Sequence, residues 1–124
     1  LPVTKHLILD DHGIPTGETE PAAAEPGALN DRSFDDEFAD LLDRPFVLSG
    51  GGRRIEVSFD TGYDFAQVFA PPGQDLICFE PMAAPTNALA DGAAPGVGPG
   101  ERAEAEFTVR VVRQPAPGSP TPAG

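Results

Sequence analysis

The segment Arg54-Ile-Glu-Val-Ser-Phe-Asp60 sets Ile55, Val57 and Phe59 on every second position, with polar residues between them. Successive side chains of a strand point to opposite faces, so this alternation describes a strand with one face in a core and the other in water. Glu104 to Arg113 repeats the pattern, with Phe107, Val109 and Val111 on one face and Glu106, Thr108 and Arg110 on the other. A chain built from such strands needs a second apolar layer to cover each apolar face, which points to packed antiparallel sheets.

The remaining apolar runs fit that scheme. Leu1 to Leu9 is aliphatic and β-branched, and Asp10-Asp11-His12-Gly13 ends it in a turn. Phe46-Val-Leu48 leads into Gly50-Gly-Gly52, a connection of the hairpin kind. Phe65 to Phe69 follows the turn Asp60-Thr-Gly-Tyr63 and is expected to pair antiparallel with Arg54–Asp60. Leu76-Ile-Cys-Phe79 has the length and content of a strand buried on both faces, with Glu80-Pro81 expected to stop it. Ile14-Pro-Thr-Gly17 reads as a tight bend, and Glu18 to Gly27, which lacks period two, as a loop or partial helix.

In Asn30–Phe38, Phe34 and Phe38 stand four apart. That spacing suits a short helical face capped by Ser33. It also suits a loop anchored by the two rings, with Asp35 or Asp36 turned toward a ligand, or a solvated acidic turn.

The 15 prolines and 14 glycines fall between these runs and in the tail, which is the punctuation of short strands joined by loops. About six strands with no recurring helix give an all-β antiparallel sandwich over residues 1–113. Residues 114–124 form a Pro-, Gly- and Ala-rich tail with nothing to bury, expected to be disordered. One domain accounts for 124 residues, and the half-buried faces outnumber what so short a chain can cover, so a partner layer is expected to be missing.

Several function classes are disfavoured. A net charge of -12 with eight Lys and Arg does not suit a nucleic-acid backbone or an anionic membrane surface. No apolar run approaches the ~20 residues that span a bilayer. The single cysteine makes no internal disulfide and sits in an apolar run, which fits a small hydrophobe in a cytoplasmic protein. The chain shows no signal peptide, and it opens at Leu1 rather than at methionine, which leaves an upstream segment open. His6, His12 and Cys78 have no zinc spacing, Gly50-Gly-Gly52 lacks the lysine of a phosphate loop, and Leu48-Ser-Gly50 is no nucleophile elbow. Neither a metal nor a cofactor is expected. Glu80 is the carboxylate that stands out: from spacing alone it is the first solvated residue past a strand, or a group held there for chemistry.

Four stretches, in order, resemble the C-terminal portion of the aldose 1-epimerase, or mutarotase, family. They are Ile14-Pro-Thr-Gly-Glu18, Phe34-Asp-Asp-Glu-Phe38, Ile77-Cys-Phe-Glu-Pro-Met82 with Pro85-Thr-Asn-Ala88, and Val97-Gly-Pro-Gly-Glu101. The third is the most specific. The resemblance spans nearly the whole chain except the tail, yet the chain is less than half the family's usual length and begins past the middle of its pattern.

The resemblance implies a galactose mutarotase-like supersandwich, present as an incomplete fragment, and interconversion of the α and β anomers of an aldohexose. It assigns Glu80 as the base that takes the anomeric hydroxyl proton and Asp35 as a residue that hydrogen-bonds sugar hydroxyls. A carboxylate leaving an apolar run would be partly desolvated, a condition that makes it a better base. Asn87 lies in the same signature and reads as a loop brace. The acid histidine and a sugar-binding arginine of the family belong to a segment before Leu1, so the N-terminal half of the fold is the implied partner, and this chain alone is expected to be inactive. A non-catalytic sugar-binding or interaction module, or a relative acting on a hexose phosphate, remains the alternative.

Overall fold

A computed structural model describes residues 1–22, 27–29, 32–92 and 94–114. The chain folds as an all-β sandwich of two antiparallel sheets. In chain order its strands are β1 (Val3–Leu9), β2 (Pro15–Pro21), β3 (Phe34–Leu41), β4 (Phe46–Gly50), β5 (Arg53–Thr61), β6 (Phe65–Ala70), β7 (Cys78–Met82) and β8 (Glu106–Arg113). Among the described residues a single short helix, α1 (Ala88–Asp91), lies between β7 and β8. The larger sheet runs β2-β1-β3-β6-β7 and the smaller one β4-β5-β8.

The core forms where the two sheets face each other. Phe46 of β4, 2% exposed, packs against Phe59 of β5 at 4.7 Å and Phe79 of β7 at 5.3 Å between ring centroids. Val3, Phe38, Ala66 and Val68 complete the buried cluster from the larger sheet. The first contact lies within the β4–β5 pair and the second joins the two sheets, and each such pair adds about 0.5–1.5 kcal/mol beyond simple burial.

The β4–β5 hairpin turns on Gly51 and Gly52, both at positive φ (56° and 76°), as the triple-glycine connection suggested. The apolar side chains of β5 lie directly opposite those of β8, with Ile55 facing Val111, Val57 facing Val109 and Phe59 facing Phe107. The three β8 residues are nevertheless 52–60% exposed, because the larger sheet does not extend beneath them.

Four expectations need correction. Pro15–Pro21 is a strand, not a bend and a loop: it lies along β1 as an edge strand, where proline removes no ladder bond from a neighbour. The turn before it fixes that pairing, because Asp10 Oδ1 accepts the N–H groups of both His12 and Ile14. Phe34–Leu41 is also a strand, since a spacing of four places two rings on one face of a strand as well as of a helix. Asn30 and Asp31 lie outside the described residues.

The segments β5 and β6 do not pair. The chain changes sheets at Gly62, where φ is 80° and a Cβ would collide with the backbone at Glu104 and Ala105, so β6 inserts between β3 and β7 instead. Finally, the Leu76–Phe79 run is not buried on both faces. Leu76 is 39% exposed, Cys78 is half-buried, and the strand runs on through Glu80 and Pro81 to Met82. As an edge strand β7 tolerates Pro81. Of the expected tail, Gln114 donates its N–H to the Gly52 carbonyl at 2.7 Å, and the residues after it lie outside the described ones.

Candidate functional site

Directly opposed residues of neighbouring antiparallel strands share a face, and here they line up across three strands. Glu37 of β3 is opposite Gln67 of β6, which is opposite Glu80 of β7. Asp35 lies two positions before Glu37 and therefore on the same face. The Gln67 amide donates from Nε2 to Asp35 Oδ1 at 2.8 Å. Asp35 and Glu80, distant in sequence, are thus brought together with one side chain between them. Alternation places Phe38, Ala66 and Val68 on the other face of these strands, in the core.

A cavity of about 420 Å³ opens over this row. Its floor is Asp35, Glu37, Gln67 and Glu80, and its walls are Leu9 and Gly13 on one side and Met82 and Thr86 on the other. Glu80 is exposed, so the described residues do not supply the partial burial expected of it. Glu37 is the opposite case, at 1% exposed, with Oε1 accepting the Thr86 N–H at 2.7 Å. The lining includes no histidine, lysine or arginine among the described residues. A larger cleft of about 660 Å³, with Asp40, Asp43, Arg44, Asp60 and Tyr63 in its lining, lies elsewhere and contains neither Asp35 nor Glu80.

The histidines lie apart from this row. His6 is half-buried in β1, and both its ring nitrogens are engaged: Nδ1 with Glu20 Oε1 at 2.8 Å and Nε2 with Asp36 Oδ1 at 2.9 Å. It is paired with Phe38, whose ring centroid is 5.3 Å away, which puts it on the face opposite Asp35. Asp36 is turned to that side too. His12 is exposed in the β1–β2 turn. Asn87 adopts a left-handed conformation (φ 67°) ahead of α1, and its side chain makes no capping bond.

Gln67 and Glu37 were not singled out by the sequence reading. The signal for Gln67 was its place as the one polar residue in Phe65-Ala-Gln-Val-Phe69. Glu37 carried no signal of burial, since it stands in an acidic run.

The fold resembles that of a galactose mutarotase-like protein from Clostridium acetobutylicum, with a TM-score of 0.64 and 14% sequence identity. The match covers 92% of this chain and 40% of that protein, so the chain spans less than half of its length. At this identity the likeness concerns the fold. No known family matches the sequence. No curated protein matches it either. No helix among the described residues is long and apolar enough to cross a membrane.

Proposed function

We propose that this chain is the base-bearing part of a carbohydrate mutarotase, an aldose 1-epimerase acting on an aldohexose. The observation that carries the reading is the meeting of Asp35 and Glu80 through Gln67 on the floor of one cavity. The mutarotase-like fold supports the same chemistry. The cavity volume falls within the ~300–1,000 Å³ usual for small-molecule sites.

In this reading the Glu80 carboxylate takes the proton from the anomeric hydroxyl. The C1–ring-oxygen bond breaks as C1 becomes an aldehyde, and the ring oxygen takes a proton from an acid. Rotation about C1–C2 and the reverse steps close the ring on the other face. Asp35 accepts hydrogen bonds from sugar hydroxyls and fixes the ring, and Gln67 holds the Asp35 carboxylate in place. The acid comes from outside the described cavity lining, which contains no histidine, lysine or arginine. The polypeptide corresponding to the part of the mutarotase-like protein that this chain does not cover is its proposed source and the proposed partner layer.

That same lining favours a second reading, a sugar-binding module without catalysis. Polarimetry on fresh α-galactose or α-glucose separates the two. The enzyme reading expects acceleration over buffer by the full-length protein, and loss of at least about 100-fold of it in Glu80→Gln. No acceleration by the full-length protein contradicts that reading, and an unchanged rate in Glu80→Gln contradicts the base assignment.

A further inference from the structure

Glu37 takes no part in the chemistry proposed above, yet its burial needs a reason. Charged side chains are almost never fully buried without a partner. At 1% exposed, Glu37 reaches Thr86, 49 positions away, through a 2.7 Å bond from the Thr86 amide to Oε1. Both residues line the cavity, so the bond joins its floor to its wall and lies outside the core between the sheets.

The segment it holds has few other freedoms. Pro85 has a fixed φ, its carbonyl accepts the Ala88 N–H at 3.2 Å, and Ala88 is itself buried. The Asn87 carbonyl accepts the N–H groups of Ala90 and Asp91. The turn is therefore a small unit anchored at Ala88 on one side, and the Glu37 bond ties its Thr86 end to the middle of β3. On the other side, Glu37 is directly opposite Gln67, the residue that holds Asp35.

We propose that Glu37 is a positioning residue for sugar binding: through the Thr86 amide it sets the distance between the Thr86 wall and the Asp35–Gln67–Glu80 floor. This rests on the reading of the cavity as a sugar site. Glu37 touches no substrate in this role, and its effect appears in affinity rather than in turnover.

The test compares Glu37→Leu, which removes the acceptor, with Glu37→Gln, which keeps a carbonyl oxygen in its place. Amide hydrogen exchange at Thr86 and D-galactose affinity by NMR titration are both measured. Loss of a bond to a charged group corresponds to about a tenfold effect. In Glu37→Leu, Thr86 exchange is expected to rise about tenfold and galactose affinity to fall about tenfold. The β5–β8 amides stay protected, and turnover, where anomerisation is observed, changes by less than about threefold. Glu37→Gln stays near wild type in both measurements.

Unchanged Thr86 exchange in Glu37→Leu overturns the clamp. Faster exchange with unchanged affinity reduces Glu37 to a structural residue and overturns the proposal. Wild-type protein that takes up no galactose overturns the sugar reading and this role with it, whereas uptake that Glu37→Leu leaves intact overturns this role alone. If Glu37→Leu loses the β5–β8 protection, Thr86→Pro withdraws the donor from the exposed turn instead; a fall of about tenfold in its galactose affinity with β5–β8 protection kept supports the role, and unchanged affinity overturns it.

Discussion

The two sheets treat the same alternating pattern differently. In the larger sheet, β3 and β6 bury Phe38, Ala66 and Val68 on one side and present Asp35, Glu37 and Gln67 on the other, where a cavity forms. In the smaller sheet, β5 buries its apolar side in part, but β8 leaves Phe107, Val109 and Val111 more than half exposed on the same side. Alternation therefore fixes which face of a strand is apolar, and the opposing layer decides whether that face is buried. The larger sheet contains the proposed chemistry, and the smaller sheet contains the surface that asks for a cover.

Substitutions can break or sharpen this contrast. Phe46 touches rings from both sheets, so Phe46→Ala should cost about 3–5 kcal/mol in urea unfolding. A loss under about 1 kcal/mol would mean that the sheets do not share one core. Gly62 marks the crossing between them, and Gly62→Ala adds both a left-handed strain and a clash with backbone at Glu104 and Ala105. About 2–4 kcal/mol of destabilisation is expected from the thermal midpoint; near-neutral behaviour would remove the close approach assigned to that glycine.

His6 ties β1 to β2 through Glu20 and to β3 through Asp36, but its side chain is 27% exposed, which weakens both pairs. His6→Ala should cost about 1–2 kcal/mol and speed amide exchange in β2 before β6. Equal exchange in both strands would argue against the tie. The smallest effect belongs to Phe107→Ala, below about 1 kcal/mol for this chain by itself, since half of the ring already meets water. A cost close to that of Phe46→Ala would show that β8 is covered in solution.

Much of this contrast was legible in the residues. The β5 and β8 patterns read as strands because alternation is local, and the glycine triplet read as a turn because positive φ is a local demand. Partner choice was not local. Phe65–Phe69 looked like the return strand of a hairpin, and only the crossing at Gly62 sends it to the other sheet. Pro15–Pro21 has almost no strand character of its own and becomes a strand because β1 offers an unpaired edge. At the site, the resemblance picked out Asp35 and Glu80, whereas Gln67 and Glu37 emerge only once register sets them in a row. Burial of Glu37 depends on a turn 49 positions away, which no local pattern reveals.

The most direct measurement is a two-dimensional amide NMR titration of the protein with D-galactose. The account predicts shifts concentrated at Asp35, Gln67, Glu80 and Thr86, absent in the Asp35→Asn, Glu80→Gln double variant, with β8 silent. Shifts centred on β8 or on the Asp60–Asp64 cleft, or no shifts at saturating sugar, would contradict it.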